Sequence, residues 1–263
     1  MTLSKRISLG IEYEGTNYFG FQKQKTTTQT IQGNLEKAIS EIADHKSKVF
    51  CCGRTDRGVH ALNQVIHFDT FSERENHEWL RGVNSLLPSD IRVKWVKEVD
   101  NNFHARFSAT SRTYRYIINN SGEESALWSN RSLWIKDRLY LQKMRDASKY
   151  LIGENDFSSF RGSGCQSSSA IRFLETLSIS KENNFIIFEI TANSFLLHMV
   201  RIIIGTLLKV GRKEITAEKV KSIMFSKDRK QSGKTVSPKG LYLISADYED
   251  CFDIPKKIDT KIL

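Results

Sequence analysis

Between Ile7 and Trp95 the apolar pattern changes period four times, and each change fixes where an element ends. Ile7, Leu9, Ile11 and Tyr13 alternate, as one face of a half-buried strand does. Ile31, Leu35, Ala38, Ile39 and Ile42 then recur at the spacing of one helix face. Two strand-like runs follow, Lys48 to Cys52 and Gln64 to Phe68, before a second helical stripe at Trp79, Leu80, Val83 and Leu87 that stops at Pro88. Ile91, Val93 and Trp95 alternate again. The order β-α-β-β-α-β is the ferredoxin-like arrangement, also used by RNA-recognition modules.

The rest of the chain predicts a repeat of that order. Tyr114, Tyr116 and Ile118 share a strand face, and Leu141, Met144, Ser148 and Leu151 suit a helix ending at Gly153. Phe173–Ile179 and Phe185–Ala192 read as strands about an Asn183-Asn184 turn. A long helix is predicted from Phe195 to Val210, then a short one capped by Thr216, then a strand through Leu241, Leu243 and Ser245. The expected fold is therefore α+β: two pseudo-duplicated βαββαβ halves, residues 1–107 and 108–263, with mainly antiparallel sheets flanking a cleft.

Composition narrows the class. Of 263 residues, 40 are Lys or Arg and 30 Asp or Glu, a net charge of +10, which favours a polyanionic partner. Many basic proteins bind no nucleic acid, so charge alone carries little. The four cysteines form no Cys-x-x-Cys pair and no zinc-like spacing, so no metal is expected and the thiols should be reduced, as in the cytoplasm. The apolar region Phe195 to Val210 is broken by His198, Arg201 and Lys209, so no membrane span is expected. No P-loop and no Gly-x-Gly-x-x-Gly after a strand points to a nucleotide cofactor.

Chemistry concentrates in Gly53-Arg54-Thr55-Asp56-Arg57-Gly58-Val59-His60-Ala61. Glycines near both ends predict a tight loop with positive φ. Asp56 stands between two permanent cations, Arg54 and Arg57, which favour the ionised carboxylate. Alone, this segment is as well read as a salt-bridged surface hairpin as an active-site loop.

The segment resembles the catalytic signature of the TruA-type tRNA pseudouridine synthases, and the likeness extends along nearly the whole chain. Tyr13-Glu14-Gly15-Thr16-Asn17-Tyr18-Phe19-Gly20-Phe21-Gln22 resembles the family's first motif. Phe103-His104-Ala105-Arg106-Phe107-Ser108-Ala109 with Tyr114-Arg115-Tyr116 resembles its central one. Gly153 to Arg161, Cys165-Gln166-Ser167, Leu197 to Arg201, Gly205 to Leu208 and Gly240 to Leu243 follow in the family's order.

The resemblance implies an isomerase, without cofactor or metal, that converts uridine to pseudouridine at positions 38, 39 and 40 of the tRNA anticodon stem-loop. It implies a cytoplasmic homodimer. Asp56 takes the place of the catalytic aspartate, as nucleophile or base. Arg201 takes that of its ion-pair partner, with Glu189 as the alternative structural partner. Arg54 takes the base-flipping position and Tyr114 that of the ring packed on the target base. Phe103, His104, Ala105, Arg106 and Phe107 match one tRNA-gripping segment, and Gly164, Cys165, Gln166, Ser167 and Ser168 the other. His60 and His198 read as oriented structural histidines.

Overall fold

The computed structural model describes residues 4–256. The chain separates into two compact units: the described residues up to Thr110 together with those from Tyr242 onward, and Ser111–Leu241.

In the first unit, β1 (Lys5–Tyr13), α1 (Ile31–Ala43), β2 (Phe50–Cys51), β3 (His60–Thr70), α2 (Asn76–Leu86) and β4 (Ile91–Val99) follow one another in the expected order. β1 lies between β3 and β4, antiparallel to both, and β2 pairs with β3. The Ile7, Leu9 and Ile11 face is fully covered, as are Leu35 and Ile39 of α1 and Trp79 and Val83 of α2. Trp79 meets Phe68 edge-on at 5.2 Å. Each such Leu or Ile contributes about 1.5–3 kcal/mol on burial. The Thr30 side chain, which accepts from the Gly33 N–H at the start of α1, adds about 1 kcal/mol. The apolar stripe therefore dominates in placing this helix.

The second unit holds β5 (Ala109–Asn119), β6 (Leu133–Trp134), α3 (Leu141–Ser148), β7 (Gly153–Asp156), β8 (Ile171–Glu182), β9 (Phe185–Ala192), α4 (Met199–Gly211) and α5 (Ala217–Ser226). Strands β5, β9, β8 and β7 run antiparallel in that order, and β6 joins β5 in parallel. Asn183 takes φ 51° in the β8–β9 turn, and Thr216 caps α5 by accepting from the Lys219 N–H. The last strand, β10 (Leu241–Tyr248), sets Tyr242 and Leu243 beside His60 and Ala61 of β3. Among the described residues no helix is long and apolar enough to cross a membrane.

Three expectations differ from what is observed. The predicted halves 1–107 and 108–263 assign β10 to the second half, whereas Tyr242 onward clusters with the first unit, because the strand finds its partner on β3. The second unit is not a strand-for-strand repeat of the first: β6, β7 and α5 have no counterpart in the β1–β4 order. The helix predicted from Phe195 begins only at Met199, because His198 sits at φ 61° in the left-handed region and breaks the helical path before it.

Gly205 shows how closely α4 is packed. A Cβ built there would lie 1.9 Å from the Lys234 carbonyl oxygen, and one at Gly233 would lie 2.3 Å from the Gly205 carbonyl carbon. Backbone cannot yield as a flexible side chain does. We expect Gly205→Ala to cost about 2 kcal/mol or more despite the better helix propensity of Ala. A thermal melt should show a fall of about 4 °C or more. An unchanged melting temperature would mean that the 233–234 backbone moves aside freely.

Candidate active site

β1 ends in an irregular register. Ile11 lies opposite Gln64, but Tyr13 lies opposite Ala61. This shift re-aims Tyr13. Its ring is buried, and its hydroxyl lies 2.7 Å from Thr55 Oγ1. Burial pushes the Tyr13 phenol well above its usual range, so it stays protonated and can donate. The Phe21 N–H donates to the Thr55 carbonyl at 3.0 Å. Thr55 is thus held from both its side chain and its backbone by the segment that precedes α1.

The neighbours of Thr55 are fixed in the same way. Gly20 has φ 90°, and a Cβ there would lie 2.8 Å from the Thr55 carbonyl oxygen, so this turn admits only glycine. The Val59 N–H donates to the Asp56 carbonyl at 3.2 Å, closing the turn through Gly58 at φ 77°. Gln64, fully buried on β3, donates to the Gly53 carbonyl at 2.6 Å and accepts from the Cys52 thiol at 2.8 Å. Gly53, predicted to need positive φ, does not take it. Its backbone is held by Gln64 instead. The buried His60 ring accepts from the Gly15 N–H at 3.1 Å and stacks on Tyr242 at 4.7 Å.

On this clamped backbone Asp56 is half-buried, while Arg54 and Arg57 are exposed. The Arg57 guanidinium rests 4.4 Å from the centre of the Phe19 ring. Arg54 and Arg106 both act on the half-buried Cys51 thiol. Desolvation nevertheless pushes Cys51 up to about 12, with Cys52 adding to the rise and the two arginines opposing it.

The Phe103–Phe107 segment is only partly a surface. Phe103 and Ala105 are fully buried, with Phe103 edge-on to Phe252 at 5.3 Å. Of the tRNA-gripping segment that the resemblance implies, only His104, Arg106 and Phe107 therefore reach the surface, because Phe103 fills the core of the first unit. The Ala105 N–H donates to His67 Nδ1 at 3.1 Å, and the Tyr248 hydroxyl to the Ala105 carbonyl at 2.7 Å.

In the second unit, Tyr114 on β5 lies opposite Ile190 and is buried, edge-on to Phe195 at 5.1 Å. Arg201, half-buried in the first turn of α4, donates through Nε to the Val236 carbonyl at 2.8 Å. Glu189, its alternative partner, pairs with Arg115 at 2.8 Å. Gly164, Gln166 and Ser168 are exposed, and Cys165 and Ser167 are half-buried. Arg161 braces this loop by donating to the Cys165 and Ser167 carbonyls, and Arg172 donates to Ser167 Oγ at 2.7 Å. Desolvation raises the Cys165 thiol, but bonds with the Leu197 and Ser167 backbone and with Arg161 outweigh it and hold the thiol below its usual value.

Sequence reasoning missed the residues that support the site: Tyr13, Gly20, Thr55 and Gln64 at the Asp56 loop, and Arg161 and Arg172 at the second. The first motif was a usable signal for Tyr13 and Gly20. Nothing local marks Gln64, which reads as one polar position in an apolar strand.

A family model described as tRNA pseudouridine synthase matches residues 10–108 and 147–249. The chain belongs to that family, whose enzymes isomerise uridine to pseudouridine in tRNA. Its relatives include proteins named tRNA pseudouridine synthase A. That of Hydrogenovibrio crunogenus is 47% identical over 257 residues, 98% of each chain. That of Buchnera aphidicola is 49% identical over 96% of this chain and 95% of its own. That of Vibrio campbellii is 48% identical over 95% of both.

The cysteines offer a direct test of the local electrostatics. The thiolate is the reactive form. At pH 7.5 Cys51 should be roughly a thousandfold less ionised than an ordinary thiol, whereas Cys165 should be more ionised. Brief iodoacetamide treatment followed by peptide mapping should label Cys165 well before Cys51. Equal labelling would contradict the described surroundings of both.

Proposed function

We propose that this enzyme isomerises uridines 38, 39 and 40 in the anticodon stem-loop of tRNA, with Asp56 as the catalytic aspartate. The observation that carries this reading is the half-buried Asp56 on a loop held rigid at Thr55 and Gly53 and flanked by exposed Arg54 and Arg57. A rigid carboxylate suits chemistry that depends on alignment, and exposed guanidinium groups suit RNA phosphates. In the reaction the N1–C1′ bond breaks and a C5–C1′ bond forms. The proton on C5 is lost and N1 gains one, so no oxidant or leaving group is needed. Asp56 acts on the sugar or the base as nucleophile or general base.

In the same proposal Arg201 is a further catalytic residue, and Tyr114 supports the flat uracil while it turns. Arg54 fills the place of the displaced base. His104, Arg106 and Phe107, with the Gly164–Ser168 loop, hold the tRNA, while buried Phe103 and Ala105 set the shape of the first segment. The net charge of +10 supports a polyanionic substrate. The proposal extends to a homodimer in the cytoplasm. Cys51, Cys52, Cys165 and Cys251 are all outside disulfides, which suits a reducing compartment, and sedimentation would test the dimer.

Asp56→Asn should abolish pseudouridine formation, measured by nucleoside analysis of digested tRNA, and change tRNA affinity by less than about threefold, since phosphate contacts dominate binding. Residual turnover near the wild-type rate would remove Asp56 from the chemistry.

Arg54→Ala should slow single turnover on a target uridine in a paired stem. Unstacking costs a few kcal/mol and comes before chemistry. A substrate with the target already unpaired should recover part of that rate. Arg54→Lys should rescue incompletely, because an ammonium cannot stack as a plane. Equal losses on both substrates would assign Arg54 to Asp56 rather than to the base.

A further inference from the structure

Outside the Asp56 loop, the first unit carries a run of rings with a cation at each end. Phe50 of β2 and His67 of β3 are register partners, and their rings stack at 5.0 Å and 16°. His104 stands edge-on to His67 at 4.6 Å, and Phe107 follows at 4.4 Å from His104. Lys48 Nζ lies 5.0 Å from the centre of the Phe50 ring, and the Arg106 guanidinium 5.5 Å from that of Phe107. Phe107 is 76% exposed and Phe50 36%.

The two imidazoles in the middle carry no charge. His67 Nδ1 accepts from the Ala105 N–H, and His104 Nδ1 from the Arg106 N–H at 3.1 Å. Desolvation lowers both, His67 to about 3. The nearby Asp69 is engaged by Arg6 at 2.7 Å. The run is therefore uncharged and polarisable at its centre, with positive ends. β2 leads directly into Gly53–Asp56, so Phe50 lies only three residues before the candidate catalytic loop in the chain.

Resting on the reading of this chain as a tRNA-modifying enzyme, we propose that Lys48, Phe50 and Phe107 form a stacking shelf for an unpaired nucleotide of the substrate RNA. The shelf adds β2 residues, Lys48 and Phe50, to the Phe103–Phe107 segment. A nucleotide matches it in both parts, with a base for a ring face and a phosphate for a cation. An exposed cation–π contact is weaker than base–aromatic stacking. An incoming base therefore displaces the Lys48 ammonium from the Phe50 ring, and the ammonium turns to the phosphate. The neutral imidazoles behind the rings brace them without adding charge.

The test is equilibrium tRNA binding at several salt concentrations, with tritium release from tRNA carrying 5-tritiated uridine measured alongside. Phe50→Leu and Phe107→Leu should each weaken binding by about tenfold with the salt slope unchanged, because stacking releases no counterions. Lys48→Met should lower the slope by about one. Phe50→Tyr and Phe107→Tyr retain a flat ring and should restore binding. The thermal melt of Phe107→Leu should match the wild type, since Phe107 is mostly exposed, and binding of Phe50→Leu is measured at a temperature well below its own melt. Wild-type affinity in both Leu variants, or equal losses in the Leu and Tyr variants, would overturn the shelf. Failure of the wild type to release tritium would overturn the enzymatic reading instead, and wild-type binding against the Leu variants would still decide the shelf.

Discussion

The hydroxyl of Tyr13 against Thr55 Oγ1, at 2.7 Å, is the contact on which the candidate catalytic loop depends. It joins the end of β1 to a loop some forty residues later in the chain. The same phenol lies 3.4 Å from Gln64 Nε2, which also holds the Gly53 carbonyl. These polar groups are buried, so each needs its partner. An unsatisfied buried donor or acceptor costs about 1–3 kcal/mol, more than a made hydrogen bond contributes. The loop is therefore held less by any one bond than by the cost of leaving several unmade. Gly20 completes the clamp from the other side, where any Cβ would press on the Thr55 carbonyl.

This clamp separates two demands. Rigidity resides in Tyr13, Thr55, Gln64 and His60, all buried. Exposure falls to Arg54 and Arg57, with Asp56 half-exposed between them. The second loop shows the same division. Arg161 and Arg172 are partly buried and donate to loop carbonyls and a hydroxyl, while Gly164, Gln166 and Ser168 are exposed. In both loops polar side chains behind the surface set the shape of the exposed backbone.

The sequence was most legible where periodicity reports burial directly. The Ile7 to Tyr13 alternation, the Ile31 to Ile42 stripe and the Asn183-Asn184 turn all correspond to observed elements. It was least legible where a distant partner decides the outcome. Phe103 looks like an RNA-stacking aromatic beside Phe107, yet Tyr248 and Phe252, at the other end of the chain, bury it. The first four residues of the predicted long helix, Phe195 to His198, begin apolar enough to be helical, but the left-handed His198 delays the helix to Met199. At the site, the charged residues of the loop were conspicuous because their density is unusual. Gln64 was not, since its role exists only once β3 lies beside the loop.

The central claim is that a clamp built from the first motif holds the candidate catalytic loop in a fixed geometry. Single-turnover tritium release from 5-tritiated uridine tRNA, comparing wild type with Tyr13→Phe, tests it most directly. Tyr13→Phe keeps the buried ring and removes only the hydroxyl shared with Thr55 and Gln64. The account predicts about a tenfold slower release, in line with the loss of one buried hydrogen bond, with tRNA affinity little changed. Release at the wild-type rate would show that the loop keeps its geometry without the clamp, and the account would be wrong.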